Sequence, residues 1–407
     1  MGAAGWLGIA TMTTRGSQAA LLLFAATQMA PEDYGQFAIA SAIVILASLI
    51  AEGGVVQATT TATNVSLRDE QALAGRAVIV GLLVAIAAVV GAFWFSFKDG
   101  FEQTVYFTTV LASLIPLTAC AAVSAGRLQR RNMFRQLAVY QIQGSALAAI
   151  LCVTLIATGY PMVGLVVLSS TTTLVYSLRI LLTKETRIVP RFEKSDRHLS
   201  HLSNYALLSN LIGVFGRRSG EFAAGIFAGP AAVGQFSIAY RVLTTGTEVL
   251  LHSRERVFLA DAARRGNNLS KENSWKTSNK DQVRNLVLVG PVFLAAGAAC
   301  YLGLPYLFGP DWNAVGTLAM ILCLSGVAQS GFNLTYSSLY VIENPRSALY
   351  FQALQVVVLT AALVVGMISS IMVGAIAYAV ASFVFAIFTV PFRIAAASVN
   401  RRAGMMV

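Results

Sequence analysis

Charged residues stand within several of the apolar stretches of this sequence. Arg15 stands in the first stretch, and Arg217, Arg218 and Glu221 stand together in the seventh. A charged side chain near the middle of a bilayer costs about 2.5–3.5 kcal/mol on insertion scales, so such residues usually face a partner or a water-filled cavity. Arginine also binds phosphate groups through paired hydrogen bonds. These residue types therefore suit the binding of an anionic group such as a pyrophosphate.

Glu221 can neutralise only one of the two arginines that precede it. The candidate pairs are Arg217 at a spacing of four residues and Arg218 at a spacing of three. Arg241, in the next apolar stretch, either extends the basic patch or reaches outward to the membrane surface. The predicted substrate-binding set is therefore Arg15, Arg217, Arg218, Glu221 and Arg241.

Two acidic residues have roles that the sequence leaves open. Glu52 and Glu248 lie towards the ends of the second and eighth apolar stretches. They serve either as bracing partners of the arginines or in the coupling of transport to an ion such as a proton or sodium. In the bracing alternative, the arginines hold two helix bundles together and bind no substrate.

The composition places nearly the whole chain in a membrane. Of its 407 residues, 56% are hydrophobic and 12% are charged, and its mean hydropathy is +0.68. A soluble domain carries about 25% charged residues. Because apolar stretches of helical length recur along the sequence, we predict an all-α polytopic membrane protein of about twelve transmembrane helices. The predicted spans are 7–29, 34–57, 74–96, 104–125, 135–156, 162–182, 203–227, 232–253, 285–307, 315–339, 347–369 and 371–392.

The basic residues define the orientation of the predicted spans. Lysines and arginines between spans concentrate in alternate connections, whereas Lys98 lies on the other side. By the positive-inside rule, both termini and the basic loops are cytoplasmic, and we predict a multi-pass protein of a bacterial inner membrane. The net charge of +11 then reflects topology and an attraction to membrane lipids, so no nucleic-acid partner is expected.

A short repeat divides the sequence into two halves. Residues 34–40 read YGQFAIA and residues 233–239 read VGQFSIA, and Pro31 and Pro230 each stand four residues before the shared glycine. Six spans separate the copies, so both halves enter the membrane in the same direction. We predict two six-helix lobes, an N-terminal lobe at 1–200 with a cytoplasmic linker and a C-terminal lobe at 201–407, related by a pseudo-two-fold axis along the membrane normal.

Three short motifs within this twelve-helix frame resemble a known family. They are PEDYGQF at 31–37, the acid-glycine pair Glu52-Gly53, and LFGPDW at 307–312. With these motifs the chain is similar to the polysaccharide-biosynthesis flippases of the Wzx type, which translocate O-antigen or exopolysaccharide repeat units. That family belongs to the multidrug/oligosaccharidyl-lipid/polysaccharide exporter superfamily.

The resemblance implies two lobes that alternate access to a central cavity. It implies flipping of an undecaprenyl-pyrophosphate-linked oligosaccharide to the periplasmic leaflet for the synthesis of O-antigen, capsule or exopolysaccharide. Arg15, Arg217 and Arg218 would hold the pyrophosphate. Expected partners are this lipid-linked oligosaccharide, membrane lipids, and the polymerase or other assembly proteins, and one chain is expected to act as a monomer.

Other classes of function predict different features. A drug or ion antiporter of the same superfamily shares the layout, although an arginine-rich cavity suits organic cations badly. A non-transporting scaffold of a polysaccharide assembly complex would dock through the connection 254–284, which reads as a solvated loop. An enzyme is not expected, because no outer loop is long enough for a catalytic domain. No phosphate-binding loop or zinc motif is present in the sequence, and neither a cofactor nor a metal is expected.

Overall fold

The computed structural model of this chain describes residues 3–61, 66–98, 100–183, 188–191, 197–251, 254–255, 258, 271–339 and 345–403. The regular structure within these residues is helical, which confirms the predicted all-α class. The α-helices in chain order are α1 Ala3–Ala26, α2 Pro31–Glu52, α3 Val55–Thr61, α4 Leu67–Ser96, α5 Thr104–Ala112, α6 Ile115–Arg130, α7 Phe134–Ala157, α8 Pro161–Leu182, α9 Arg197–Phe227, α10 Pro230–Gly246, α11 Lys271–Phe308, α12 Val315–Ser330, α13 Asn333–Ser338, α14 Pro345–Ser369 and α15 Ile371–Ala403. A π-helical turn at Thr247–Leu251 follows α10, and a 3-10 turn at Pro310–Trp312 precedes α12.

The lengths of these helices fit a multi-pass membrane protein. Within the described residues, 9 helical segments are long and apolar enough to cross a bilayer. The predicted spans overlap helices along the chain, but twelve crossings and a symmetric pair of lobes stay predictions. The helices α7 and α8, α11 and α12, and α14 and α15 pack as neighbouring pairs, and α1 packs against α7 and α8.

Local sequence explains where several helices begin and end. Proline occupies the start of α2, where a backbone N–H would have no partner within the helix, so the missing N–H costs nothing. Two acidic residues follow in the first turn, where their negative charge interacts favourably with the positive end of the helix dipole. The same helix ends at Gly53, whose φ of 56° is left-handed and whose N–H donates to the Leu49 carbonyl at 3.1 Å. Ser66 and Asp69 form a capping box at the start of α4.

Three predicted spans are each interrupted in the structure. The span 34–57 breaks at Gly53 and Gly54, because both glycines have positive φ values of 56° and 68°. The short helix α3 that follows packs against α6. The spans 104–125 and 315–339 each contain two helices, with breaks between α5 and α6 and between α12 and α13.

The prediction of a solvated loop at 254–284 is wrong for its last part. The helix α11 begins at Lys271, and Trp275, Ser278 and Gln282 are 0%, 0% and 5% exposed. Their spacing of three and four residues places them on one helix face, where Trp275 packs with Leu339. Residues 259–270 lie outside the described residues, so docking of a partner through this connection stays a prediction.

The chain divides into two compact units. The first comprises Met1–Gly225 with Gly229–Gly234, and the second comprises Ile226–Ala228 with Gln235–Val407. The first unit thus includes most of α9 and the first turn of α10. The lobe boundaries predicted at 1–200 and 201–407 stay a prediction.

Candidate functional site

Arg15 lies on α1, and Arg217 and Arg218 lie on α9. Arg15 is exposed on α1, whereas the preceding Thr14 is 2% exposed. The helix therefore turns one face into the protein and leaves the arginine on another. A helix with arginine on an otherwise apolar surface suits the wall of a polar cavity better than full contact with lipid.

The structure decides between the two candidate partners of Glu221. Nη1 of Arg218 donates to the two carboxylate oxygens of Glu221 at 2.8 and 2.9 Å, which is the pair at a spacing of three residues. The Glu221 side chain is 3% exposed and the Arg218 side chain is 21% exposed. Arg217, one residue earlier, is exposed. The pair thus fixes Arg218 on α9 while Arg217 occupies a more open face.

The four charged residues on α1 and α9 carry a surplus of positive charge. Arg15, Arg217, Arg218 and Glu221 all lie in the first compact unit, and the set contains three arginines but a single carboxylate. A charge surplus on helices of low polarity attracts anions more strongly than it would in bulk water. Each arginine is of a residue type that can bind a phosphate or pyrophosphate group through paired hydrogen bonds.

The remaining predicted residues are distributed over both units. Arg241 is partly buried on α10, and its buried Nε atom makes no hydrogen bond within the described residues. Glu248 is exposed in the π-helical turn that follows. Both lie in the second unit. The structure therefore brings Arg218 and Glu221 together, but it places Arg241 and Glu248 in a different unit from them.

Glu52 is the last residue of α2, directly before the break at Gly53. It is partly buried and interacts electrostatically with Tyr176 of α8. Among the described residues no lysine or arginine forms an ion pair with it. Ion coupling and bracing both stay predictions for Glu52 and Glu248.

A buried acid with two arginines escaped the sequence analysis. Glu70 of α4 is 1% exposed, and its carboxylate forms ion pairs with Arg127, at 3.4 Å, and with Arg130. Arg130 also donates to the carbonyl of Thr59 at 3.3 Å, which ties α3 to α6. The two arginines were counted only as topology signals, because their acid lies 57 and 60 residues earlier in the sequence.

A second polar cluster lies at the break between α12 and α13. Gln282 of α11 donates to the Ser330 carbonyl at 2.6 Å and accepts from the Leu334 N–H at 3.0 Å. Asn285 donates to the same carbonyl at 3.0 Å and to Asn333 at 2.7 Å. Ser330 and Leu334 are the residues that would bond to each other in an unbroken helix. The amide of Gln282 thus replaces one backbone hydrogen bond.

A sequence model of a family described as polysaccharide biosynthesis protein matches residues 26–317, which is most of the chain. The chain belongs to this polysaccharide biosynthesis protein family. The resemblance drawn from the three motifs is therefore confirmed at the level of the family. Among curated proteins, the succinoglycan biosynthesis transport protein ExoT of Rhizobium meliloti (strain 1021) is 22% identical over 331 residues. These residues cover 79% of this chain and 65% of ExoT, so the chain spans less than two thirds of the length of that relative.

Solved structures place this family member in a known transporter fold. An inward-facing multidrug resistance MATE family transporter of the MOP superfamily matches with a TM-score of 0.72 at 16% identity, over 99% of each chain. The lipid II flippase MurJ, in an inward closed conformation, matches with a TM-score of 0.70 at 13% identity, over 95% of this chain and 87% of MurJ. At these identities the likeness establishes the fold alone.

Proposed function

We propose that this protein flips an undecaprenyl-pyrophosphate-linked oligosaccharide repeat unit across the bacterial inner membrane, by alternating access, for polysaccharide synthesis. The family membership and the ExoT relative, whose name describes succinoglycan transport, support a role in polysaccharide export. The MurJ match adds a flippase with the same fold. In this proposal both termini are cytoplasmic and twelve helices form two lobes. A monomer translocates the repeat unit, and separate assembly proteins supply and polymerise it.

The observation that carries the proposal is the arginine surplus on α1 and α9. Arg218 forms an ion pair with Glu221, and Arg15 and Arg217 are exposed on α1 and α9. Arginine binds phosphate oxygens through paired, charge-assisted hydrogen bonds worth about 1.5–3 kcal/mol each. A lipid-linked pyrophosphate supplies the anionic group that this arrangement requires. The sugars of the same substrate would form hydrogen bonds with polar side chains outside this set of arginines.

Alanine substitution of the arginines tests the proposal. We expect Arg15→Ala, Arg217→Ala and Arg218→Ala each to lower polymer synthesis about 10-fold or more, because each removes a phosphate contact of about 1.5–3 kcal/mol. The measurement is polymer yield after complementation of a bacterial strain that lacks its own repeat-unit flippase, normalised to membrane abundance. Arg179→Ala is the matched control, since Arg179 is an exposed arginine in the last turn of α8, outside the proposed site.

Direct binding separates an anion site from a structural brace. The purified protein should bind a polyprenyl pyrophosphate more tightly than the uncharged polyprenol, and the three alanine variants should lose this difference. Full polymer synthesis by all three variants would refute the cavity-charge mechanism and assign the arginines to bracing. Export of organic cations, with no preference for the pyrophosphate, would favour the antiporter alternative instead.

A further inference from the structure

The two copies of the sequence repeat touch each other within the first compact unit. At Gly35, an added Cβ would overlap the carbonyl oxygen of Pro230 and lie 2.8 Å from its carbonyl carbon. At Gly234, an added Cβ would overlap the carbonyl oxygen of Pro31 and lie 2.9 Å from its carbonyl carbon. Each glycine therefore packs against the proline of the other copy. We call these four residues the Gly–Pro junction.

The Gly–Pro junction explains the spacing that the two repeats share. A proline four residues before a glycine puts the proline carbonyl one helical turn from the glycine, on the same side of the helix. Two such first turns can then meet reciprocally, carbonyl against Cα, only if neither partner carries a side chain at the glycine position. Small residues allow the same close approach between helices in other membrane proteins.

Apolar side chains surround the Gly–Pro junction. Tyr34 and Phe37 of the first copy are 1% and 3% exposed, and Val233 of the second copy is 0% exposed. The ring of Phe95 packs against Phe101, with centroids 5.7 Å apart. A further Cβ at Gly225 would lie 3.0–3.5 Å from Ile39, Phe95 and Val233. The contact is thus buried and closely packed.

The glutamine that follows each glycine ties its own copy to a later helix. Gln36 accepts a hydrogen bond from the N–H of Gln103, just before α5, at 2.8 Å. Gln235 donates to the carbonyl of Asp311, just before α12, at 3.1 Å. Each first turn is therefore held by a hydrogen bond to the residue that precedes a later helix of the same half. The two first turns contact each other through van der Waals packing at the glycines.

The Gly–Pro junction lies at the end of the helices away from the basic residues. The chain enters α5 beside Gln36 and leaves α6 at Arg127 and Arg130, whose side is the predicted cytoplasmic one. The first turns of α2 and α10 are therefore on the extracytoplasmic side in that orientation.

We propose that the Gly–Pro junction is the extracytoplasmic seal of the transport path, and that it separates and re-forms in each cycle. This inference rests on the proposed flippase function. Glycine makes the closed contact tight enough to exclude water, and packing without charged partners can be broken at a small energetic cost. The opposing case is a permanent brace, in which the two first turns never part.

Reversible cross-linking distinguishes a seal from a brace. Glu32→Cys and Ala231→Cys, each directly after its proline, are combined in a chain whose native Cys120, Cys152, Cys300 and Cys323 are replaced by alanine. Bridging the two thiols with a short reducible bis-methanethiosulfonate should lower polymer synthesis at least 10-fold. Reduction of the bridge should restore synthesis. The two single-cysteine variants are the controls. Undiminished synthesis by fully bridged protein would overturn the proposal.

Thiol labelling tests opening without reference to any cargo. In the same background, Val233→Cys places a thiol at a position that is 0% exposed in the closed contact. A membrane-impermeant maleimide should label it slowly in cells, and Gly35→Ala should accelerate labelling at least 10-fold because the added methyl group holds the turns apart. If the arginine variants refute the pyrophosphate site, labelling still reports whether the turns separate. Absence of labelling, while Glu32→Cys is labelled promptly, would identify a permanent brace.

Matched glycines control for the effect of an added methyl group. Gly91 and Gly303 have nothing within 4 Å of an added Cβ, so Gly91→Ala and Gly303→Ala should leave the labelling rate unchanged. Because Gly35 and Gly234 close the same contact, the double alanine variant should label about as fast as either single variant. Equal rates in the junction and control variants would show that the Gly–Pro contact does not hold the path closed.

Discussion

Replacing Glu70 with alanine is expected to destabilise the folded protein by about 3 kcal/mol, because the change leaves two arginines at a buried site without their carboxylate. Glu70 is 1% exposed and forms ion pairs with Arg127 and Arg130, whose side chains are 16% and 27% exposed. Arg130 also holds the Thr59 carbonyl, so α3 should loosen with it. Unfolding by SDS in mixed detergent micelles measures the loss.

A double-mutant cycle separates the ion pairs from packing at Glu70. Adding Arg127→Ala to Glu70→Ala should cost less than the sum of the two single changes, since the second change removes one of the stranded charges. Glu102→Ala is the matched control, because Glu102 is exposed, and it should alter stability by no more than about 0.5 kcal/mol. Strict additivity would mean that the ion pairs contribute little.

The second large effect is expected at Gln282, whose amide replaces the backbone hydrogen bond between Ser330 and Leu334. Gln282→Ala removes the partner of the buried Leu334 N–H and one of two donors to the Ser330 carbonyl. An unsatisfied buried group costs about 1–3 kcal/mol, and the lost side chain adds a cavity. The expected destabilisation is about 2–4 kcal/mol, measured by the same unfolding assay.

The length of the Gln282 side chain provides a sharper comparison. Gln282→Asn keeps the amide but shortens the side chain by one methylene, so it should not reach both backbone groups and should resemble Gln282→Ala. Gln352→Ala is the control, because the side-chain oxygen of Gln352 is buried and makes no hydrogen bond within the described part of the chain, so little is lost with it. Unchanged stability of Gln282→Ala would contradict the prediction and indicate that α12 and α13 can join into one helix.

The membrane class, the helical fold and the family could be predicted from sequence because each depends on local composition or on short motifs. An apolar stretch long enough to span a bilayer must satisfy its own backbone as a helix. The motifs at 31–37, 52–53 and 307–312 were sufficient for the family, which the match over residues 26–317 confirms. The breaks at Gly53 and near Gly331 were missed, although a glycine stands at each of them, because a single glycine is also compatible with a continuous helix.

Contacts between helices were decided only by the tertiary structure. Spacing left Glu221 with two equally reachable arginines, and backbone and rotamer geometry selected Arg218. Sequence gave no sign that Glu70 meets Arg127 or that Gln282 bridges a broken helix, because these partners are 45 or more residues apart. In a membrane protein the lipid-facing and the packed faces of a helix are both apolar, so periodicity does not reveal which faces meet.

The repeat shows most clearly what the sequence determines and what the tertiary structure determines. The sequence by itself determined that two first turns carry a proline and a glycine at the same spacing. Only the structure decided that the copies touch, each glycine against the proline carbonyl of the other. The physical reason is that a glycine is required wherever another backbone approaches within van der Waals distance, but the residue alone does not say which backbone approaches.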